Sequence, residues 1–222
     1  MKKIGVIFDL DGVIVDTAKY HFLAWHNLAK YLGFEFTETH NELLKGVSRV
    51  RSLEILLEIG NITLSDEKKK AILIEKNEDY LSYVTKMNAD EILPGVIALL
   101  NTLDALDIKY VLGSASKNAP LILKQVGLFN RFTAIVDGNS VKKAKPDPEV
   151  FLIGAKKLNL KPENCIVFED AIAGIEAANN AHMISVGIGD KNILNQAHYT
   201  FNSLTEMPDD FISSFLLENS FK

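Results

Sequence analysis

The chain has little cysteine, no excess of positive charge and no long apolar segment. Its single cysteine, Cys165, cannot form an intrachain disulfide, and the apolar residues that follow it indicate a place in the core. The net charge of −5 at pH 7 argues against a general nucleic-acid binder, which would carry a basic surface. No apolar segment approaches the roughly 20 residues that cross a bilayer. These absences favour a cytoplasmic globular protein that binds neither nucleic acid nor membrane.

Two acidic residues follow the first apolar segment of the chain. Residues 4–8 are almost continuously apolar, which is typical of a parallel strand buried on both faces. Asp9 ends this segment, and Asp11 and Gly12 come soon after it. Two neighbouring carboxylates at the end of a buried strand repel each other unless a cation lies between them, and Mg²⁺ prefers such oxygen ligands. An Asp-Gly turn with solvated acids is the alternative that this segment alone leaves open.

Residues 18–88 have the hydrophobic pattern of helices. Apolar residues at spacings of three and four predict a first helix that Gly33 ends. We expect a second helix from residue 42 to about residue 59. A third is expected from Ser65, which with its acidic neighbours suits a helix start, to about residue 86. Trp25 and the tyrosines of this region are predicted to pack in the core.

From Pro94 onward, predicted helices and strands alternate. The helices are predicted at residues 96–106, 121–126, 150–158 and 172–180, and the strands at residues 110–112, 134–136, 166–168 and 183–188. Repeated β-α units predict an α/β fold with a doubly wound parallel sheet and helices on both faces. The first strand belongs to the same sheet. We therefore predict a core domain of residues 1–17 and 89–222 and an inserted all-helical cap domain of residues 18–88.

Polar residues follow three of the predicted strands, and ligands of such sheets bind outside the carboxyl ends of the strands. Ser114 and its small neighbours could hold an anion with backbone N–H groups. Lys145 precedes a Pro-Asp-Pro segment, and Glu169 and Asp170 end a buried strand. Singly, each has an ordinary explanation: a polar loop, a solvated turn lysine and an acidic helix start.

Together, these segments resemble the four motifs of the haloacid dehalogenase-like phosphotransferase superfamily. The motifs are Asp9-Leu10-Asp11-Gly12-Val13, Ser114, Lys145-Pro146 and Glu169-Asp170, each at a predicted strand end and in the family's order. The resemblance implies that Asp9 is a nucleophile that becomes phosphorylated and that Asp11 is the general acid and base, assisted by Thr17. It also implies that Ser114 holds the phosphoryl group in transfer and that Lys145 balances its charge.

The resemblance further implies a Mg²⁺ site with one ion per subunit. The implied ligands are Asp9, Asp11 through its backbone carbonyl, Glu169 and Asp170. The third motif departs from the expected form, because Asp147 stands where related phosphomutases carry alanine, and residues 137–140 also differ. The motif lysine is kept.

Within the superfamily, the chain is similar to helical-cap phosphomutases that act on sugar phosphates. The similarity is carried by residues 20–22, 24–25, 44–49, 76–77, 114–118 and 198–200. The implied substrate-binding residues are His21, Lys45, Gly46, Val47, Arg49, Ser52, Lys76, Ala115, Ser116, Lys117 and Asn118. Of these, Arg49 and residues 116–118 would hold the phosphate that is not transferred. Without the resemblance, Lys45 and Arg49 would be interpreted as surface charges, and His21 as a structural histidine.

This similarity implies a phosphomutase that interconverts β-D-glucose 1-phosphate and glucose 6-phosphate. Asp9 would carry the phosphoryl group, and β-glucose 1,6-bisphosphate would be both intermediate and activator. The partner is then a small-molecule sugar phosphate, and a monomer is sufficient. A sugar-phosphate phosphatase built on the same core is the alternative. A non-catalytic relative would lack at least one of Asp9, Asp11, Lys145 and Asp170, and the chain has all four.

Overall fold

Six parallel strands form one sheet in the computed structural model, which describes residues 3–45 and 47–218 of the chain. The strands are β1 (Gly5–Phe8), β2 (Tyr110–Gly113), β3 (Ala134–Val136), β4 (Cys165–Glu169), β5 (Ile184–Ile188) and β6 (Tyr199–Phe201). Their order across the sheet is β3-β2-β1-β4-β5-β6, so the first strand of the chain has an inner position. The predicted doubly wound parallel sheet is confirmed, and β6 is a strand that was not predicted.

The register of the strands aligns their carboxyl ends. Phe8, the last residue of β1, is level with Leu112 of β2 and with Phe168 of β4. The rings of Phe8 and Phe168 stack with their centroids 5.2 Å apart, and both side chains are fully buried. Because parallel strands end at the same edge of a sheet, this register brings together the residues that follow β1, β2 and β4.

Nine helices accompany the sheet within the residues that the structure describes. They are α1 (Ala18–Leu32), α2 (Glu38–Glu42), α3 (Arg49–Ile59), α4 (Asp66–Val84), α5 (Val96–Ala105), α6 (Ala119–Gln125), α7 (Glu149–Leu158), α8 (Ile172–Asn180) and α9 (Phe211–Glu218). The four helices predicted after Pro94 are confirmed, with small shifts at their ends, whereas α9 was not predicted. None of the nine combines the length and apolar character needed to cross a bilayer.

Helices cover both faces of the sheet. On one face, Phe151 of α7 packs in an apolar cluster with Ile7 of β1. On the other, Leu100 of α5 and Ile122 of α6 belong to the cluster that contains Phe8. Ile7 and Phe8 are consecutive, so the alternation of side chains along β1 divides them between the two faces. This double burial explains the apolar segment with which the chain begins.

Helices α1–α4 lie between β1 and β2 in the chain and form the inserted cap. They have an apolar cluster of their own, which includes Trp25 and Leu56. The chain enters and leaves the cap side by side, since the N–H of Asp16 donates to the carbonyl of Glu91 over 3.0 Å. The helical insertion after β1 is thus confirmed as an architecture, while its numerical limits stay a prediction.

The predicted second helix, residues 42–59, is wrong in its first part. Helix α2 ends at Glu42 and α3 begins at Arg49. Ser48 is extended, and its side chain accepts a hydrogen bond from a backbone N–H of the first turn of α3. This N-cap, rather than the apolar periodicity, sets where α3 begins. Gly46, a predicted substrate-binding residue in this segment, lies outside the described residues.

Candidate active site

A buried lysine bridges two carboxylates at the carboxyl edge of the sheet. Asp9 follows β1, Glu169 ends β4, and Lys145 lies in the loop between β3 and α7. Nζ of Lys145 donates to Oδ1 of Asp9 over 2.5 Å and to Oε1 of Glu169 over 2.6 Å. All three residues are buried. Three motif residues from distant segments of the sequence are therefore in direct contact.

Burial and charge together set the protonation of this cluster. Burial raises the pKa of Asp9 to about 7, although the charge of Lys145 acts in the opposite direction. Burial alone would lower the pKa of Lys145, but the charges of Asp9 and Glu169 raise it above its ordinary value. Lys145 therefore stays protonated at neutral pH, and it favours the ionised form of Asp9.

Asp9, Glu169 and Asp170 form a set of oxygen donors that fits a divalent cation. One carboxylate oxygen from each lies within 4.8 Å of the others. Burial raises the pKa of Asp170 well above its ordinary value, and the charges of Glu169 and Asp9 add to the effect. When all three carboxyl groups are ionised, they carry more negative charge than Lys145 balances. Hard oxygen donors with an excess of negative charge are the chemistry that Mg²⁺ prefers.

Gly12 makes space for one of these donors. Its φ of +78° lies in the left-handed region, which glycine adopts without strain. A Cβ atom at this position would overlap the carboxylate of Asp170. The glycine of the first motif is therefore required both by the turn and by the position of Asp170.

The Asp11 carboxylate has partners from the start of the cap. It accepts a hydrogen bond from the hydroxyl of Thr17, which is fully buried. Nε2 of His21 lies 3.9 Å from Oδ1 of Asp11. Burial lowers the pKa of His21 well below its ordinary value, and the charges of Lys76 and Arg49 act in the same direction. His21 is therefore neutral at pH 7. The Asp11 side chain lies outside the donor set, so a metal contact by this residue would use its backbone carbonyl.

Lys76 of α4 continues this chain of contacts into the cap. Its Nζ lies 3.2 Å from Nδ1 of His21. The ammonium group also lies 4.3 Å from the ring centroid of Trp25 and 4.9 Å from that of Tyr80. Burial lowers the pKa of Lys76 to about 7, and the nearby charge of Arg49 contributes. A buried cation next to a second cation is unfavourable in the free protein, which indicates a site for an anion.

The loop after β2 connects the sheet edge to the cap. The side chain of Ser114 is buried and accepts a hydrogen bond from the N–H of Ser116 over 3.0 Å. The Ser116 hydroxyl in turn accepts from the N–H of Asn118 over 3.3 Å. Nδ2 of Asn118 donates to Oδ1 of Asn77 on α4 over 3.0 Å. This succession of hydrogen bonds runs from the strand end to the helix that carries Lys76.

The remaining predicted substrate-binding residues are less directly connected to this centre. Lys45 forms an ion pair with Glu42 at 2.9 Å. The charge of Lys45 acts to lower the pKa of Asp170, but the effect of burial is larger and raises it. Ser52 is buried within α3, where its N–H donates to the carbonyl of Ser48 over 2.8 Å. Val47 of the cap loop and Ala115 of the β2 loop are partly buried, whereas Lys117 of the β2 loop is exposed. Their contacts with substrate stay a prediction.

A cavity of about 410 Å³ opens beside the donor set. Gly12 and Asp170 line it from the core, Lys45 lines it from the cap, and residues 188–190 and 202–205 complete its wall. A separate groove of about 460 Å³ is lined by Lys142, Lys143 and Lys156 among others, and its lining includes none of the predicted site residues. The cavity beside Asp170 is therefore the one that bears on the candidate site.

Sequence reasoning missed two aromatic residues and one amide of this site. Trp25 and Tyr80 were predicted to be core residues, and both are buried, but their rings also flank Lys76. Asn77 was named only as part of a similar segment. A signal was present, since Lys76 and Tyr80 are four residues apart on one helix and so share a face. A lysine on an otherwise buried face indicates a role beyond packing.

Comparisons with known proteins agree with this geometry. Residues 5–182 match the family model described as haloacid dehalogenase-like hydrolase. The chain is 44% identical over 187 residues to the β-phosphoglucomutase of Bacillus subtilis, which covers 83% of each chain. A crystal structure of β-phosphoglucomutase from Clostridium difficile superposes with a TM-score of 0.93 at 42% identity over the full length of both chains.

A relative with a different activity is also similar. The phosphorylated carbohydrates phosphatase of Thermotoga maritima is 35% identical over 179 residues, which is 80% of this chain and 81% of the relative. The family model spans all four motifs, and these identities extend over most of the chain. The chain belongs to the haloacid dehalogenase-like hydrolase family.

Proposed function

We propose that this protein is a phosphomutase that interconverts β-D-glucose 1-phosphate and glucose 6-phosphate. The contact from Asp11 through His21 to Lys76 carries this proposal, because it connects a catalytic carboxylate to a buried cation of the cap. A substrate with a second phosphate gives that cation a partner. The similarity to β-phosphoglucomutases of two bacteria supports the same substrate.

In the first half of the reaction, phosphorylated Asp9 transfers its phosphoryl group to the 6-hydroxyl of the sugar. The bond between phosphorus and the Asp9 oxygen breaks, and a bond between phosphorus and the sugar oxygen forms. The hydroxyl proton passes to Asp11. The product of this half-reaction is β-glucose 1,6-bisphosphate.

In the second half, the bisphosphate has turned so that its C1 phosphate faces Asp9. The Asp9 carboxylate attacks this phosphorus, and the bond between phosphorus and the C1 oxygen breaks. Asp11 returns its proton to that oxygen, and glucose 6-phosphate leaves. The enzyme is again phosphorylated, so a trace of bisphosphate is enough to start the cycle.

The residues around Asp9 stabilise the transferred group electrostatically. Lys145 already donates to Asp9, and its charge can be shared with a phosphoryl oxygen. We assign the Ser114 hydroxyl and the N–H groups of its loop to hydrogen bonds with the other oxygens of the phosphoryl group. Mg²⁺ held by Asp9, Glu169, Asp170 and the Asp11 carbonyl would neutralise negative charge at this group.

The cap is assigned the recognition of the sugar and of the phosphate that is not transferred. Arg49 offers a planar guanidinium, and Lys76 a compact charge. We assign Lys117 and Asn118, from the loop after β2, to the same phosphate, and Asn118 already donates a hydrogen bond to Asn77 of the cap. Groups from both parts of the chain close around one ligand, which excludes water from the phosphorylated enzyme. All the groups invoked come from one chain, so we propose a functional monomer.

A sugar-phosphate phosphatase is the second candidate, and the Thermotoga relative is the observation that favours it. In that reaction, water replaces the sugar hydroxyl as the acceptor of the phosphoryl group. The same core residues serve both reactions. The difference lies in how well the cap excludes water and holds a second phosphate.

The test is an assay with β-D-glucose 1-phosphate, Mg²⁺ and a trace of β-glucose 1,6-bisphosphate. Glucose 6-phosphate and free phosphate are both measured, with the α-anomer as a control substrate and Asp9→Asn as a control for contaminating activity. We expect rapid glucose 6-phosphate formation from the β-anomer alone, with little free phosphate. Free phosphate without isomerisation would overturn the mutase and leave the phosphatase.

A further inference from the structure

Tyr80 has a buried hydroxyl without a hydrogen-bonding partner. The residue is 1% exposed, and among the described residues no group lies at hydrogen-bonding distance and angle from its hydroxyl oxygen. An unsatisfied buried hydroxyl costs about 1–3 kcal/mol. Phenylalanine would fill the same space without this cost. The hydroxyl therefore needs an explanation other than packing.

The ring of Tyr80 holds two groups of the candidate site. It stacks on the imidazole of His21 with the centroids 4.2 Å apart and an interplanar angle of 23°. The Lys76 ammonium lies 4.9 Å from the centre of the same ring. These contacts involve the ring alone, and phenylalanine could make both of them.

Tyr80 lies beside the Asp11 centre, because His21, whose ring stacks on Tyr80, is 3.9 Å from Asp11 and donates its backbone N–H to the carbonyl of Thr17 over 3.0 Å. Burial raises the pKa of Tyr80 well above its ordinary value, the charge of Asp11 adds to the effect, and Thr17 is near enough to act against it. The phenol thus remains a hydrogen-bond donor throughout the neutral range. Thr17 uses its only hydroxyl proton on Asp11, so the lone pairs of its oxygen are left to accept.

We propose that Tyr80 is a positioning residue for proton transfer, whose hydroxyl donates to Thr17 while Thr17 donates to Asp11 when substrate is bound and the cap is closed. The inference rests on the proposed function, because it assigns Tyr80 to the step in which Asp11 takes a proton from the sugar hydroxyl. The two linked hydrogen bonds hold the Asp11 carboxylate facing that hydroxyl. The Tyr80 hydroxyl has no partner in the free protein and gains one in the complex. Its hydrogen bond therefore stabilises the transition state and does not stabilise the free protein.

The test compares Tyr80→Phe with Tyr83→Phe. Tyr83 lies on the same helix, and its ring stacks on Tyr20, whereas His21 stacks on Tyr80. Tyr80→Phe should lower kcat about tenfold, which corresponds to about 1.4 kcal/mol, with KM changed less than twofold. Its thermal midpoint should equal or exceed that of the wild type, because the substitution removes an unsatisfied hydroxyl. Tyr83→Phe should keep the wild-type kcat.

A second readout separates positioning from a structural role. The ratio of glucose 6-phosphate to free phosphate should fall in Tyr80→Phe, because a misplaced Asp11 slows transfer to the sugar more than reaction with water. The inference is wrong if Tyr80→Phe keeps the wild-type kcat and product ratio. It is also wrong if kcat falls together with the thermal midpoint, because the loss is then structural. If the wild-type enzyme itself forms no glucose 6-phosphate, the proposed function fails, and that result is distinct from either outcome.

Discussion

Nζ of Lys145 lies 2.5 Å from Oδ1 of Asp9, and the ammonium group is almost entirely enclosed by protein. The same nitrogen contacts Glu169 at 2.6 Å. Removal of the lysine leaves two buried carboxylates without their cation. Lys145→Ala should therefore destabilise the fold by about 3–5 kcal/mol and abolish phosphoryl transfer. Urea unfolding measures the first effect, and the assay of glucose 6-phosphate formation measures the second.

The loss of stability in Lys145→Ala should depend on pH. Burial raises the pKa of Asp9 to about 7 even with the lysine present. The folded protein then keeps a proton that the unfolded chain releases between about pH 4 and pH 7, so the free energy of unfolding falls as pH rises through this range. Without the charge of the lysine, the pKa of Asp9 should rise further, so this fall should extend to higher pH. Lys143→Ala, at an exposed position of the same loop, is the matched control. An equal pH dependence in both variants would contradict this account.

Lys76→Met should stabilise the free protein and impair catalysis. Burial and Arg49 lower the pKa of Lys76 to about 7, whereas the unfolded lysine titrates near its ordinary value. Between these two pKa values the unfolded chain binds more protons than the folded protein. The free energy of unfolding of the wild type therefore rises with pH from about 7 towards about 10 as the cost of the buried charge disappears. The gain from Lys76→Met should accordingly be largest near pH 7 and shrink as pH rises.

Urea unfolding from pH 6.5 to pH 9.5 checks the Lys76 prediction. Lys70→Met, on the exposed side of the same helix, is the control and should change little at any pH. Contact with the rings of Trp25 and Tyr80 offsets part of the burial cost of the charge. A destabilised Lys76→Met protein at pH 7 would show that this contact outweighs desolvation.

Gly12→Ala should weaken Mg²⁺ binding at least tenfold. The added Cβ overlaps the Asp170 carboxylate, and it also strains a backbone with φ of +78°. Gly33→Ala separates the two effects, because Gly33 has φ of +91° and no atom within 4 Å of an added Cβ. Both variants should lose about 1–2 kcal/mol of stability through the left-handed backbone.

Isothermal titration with Mg²⁺ distinguishes the two glycine variants. We expect Gly33→Ala to bind Mg²⁺ with wild-type affinity and Gly12→Ala to bind it weakly. Equal affinity in both would show that Asp170 can move aside without consequence for the metal.

Asn77→Ala should raise KM for the sugar phosphate and increase the release of free phosphate. The substitution removes the 3.0 Å hydrogen bond through which the cap contacts Asn118. One such bond contributes about 0.5–1.5 kcal/mol, which corresponds to a two- to tenfold change in KM. Ser82→Ala, a solvent-exposed change on the same helix, should leave both quantities unchanged. Steady-state kinetics with both products measured provides the check.

The sequence predicted the sheet and its edge more accurately than the cap. Asp9 follows β1, Glu169 ends β4 and Lys145 lies in the loop after β3. The apolar segments of these strands are easily recognised in the sequence, and parallel topology then brings their carboxyl ends to one edge. The cap loop before Arg49 was wrongly predicted as helix, because apolar periodicity continues through it and only the Ser48 cap interrupts it. The periodicity of apolar residues predicts which side chains are buried. It does not predict which polar group lies next to a buried residue.

Tyr80 illustrates the same limit within the candidate site. Its ring satisfies the helical pattern of a core residue, and nothing in the local sequence indicates that His21, far away in the chain, stacks on it. The three-residue strand β6 escaped prediction for a related reason. Its three residues include Thr200 at the centre, whereas β3, which is equally short and was predicted, is entirely apolar.

The stacked rings of Phe8 and Phe168 fix the position of the acids that follow them, yet they lie inside the sheet and not at its ligand-binding edge. The packing that positions these acids is consequently separate from the cap residues that are proposed to contact substrate. Substitutions in the cap can therefore change the proposed recognition and leave the interior of the sheet intact. This chain is similar to a mutase and to a phosphatase, so proteins of different activity share most of its sequence pattern.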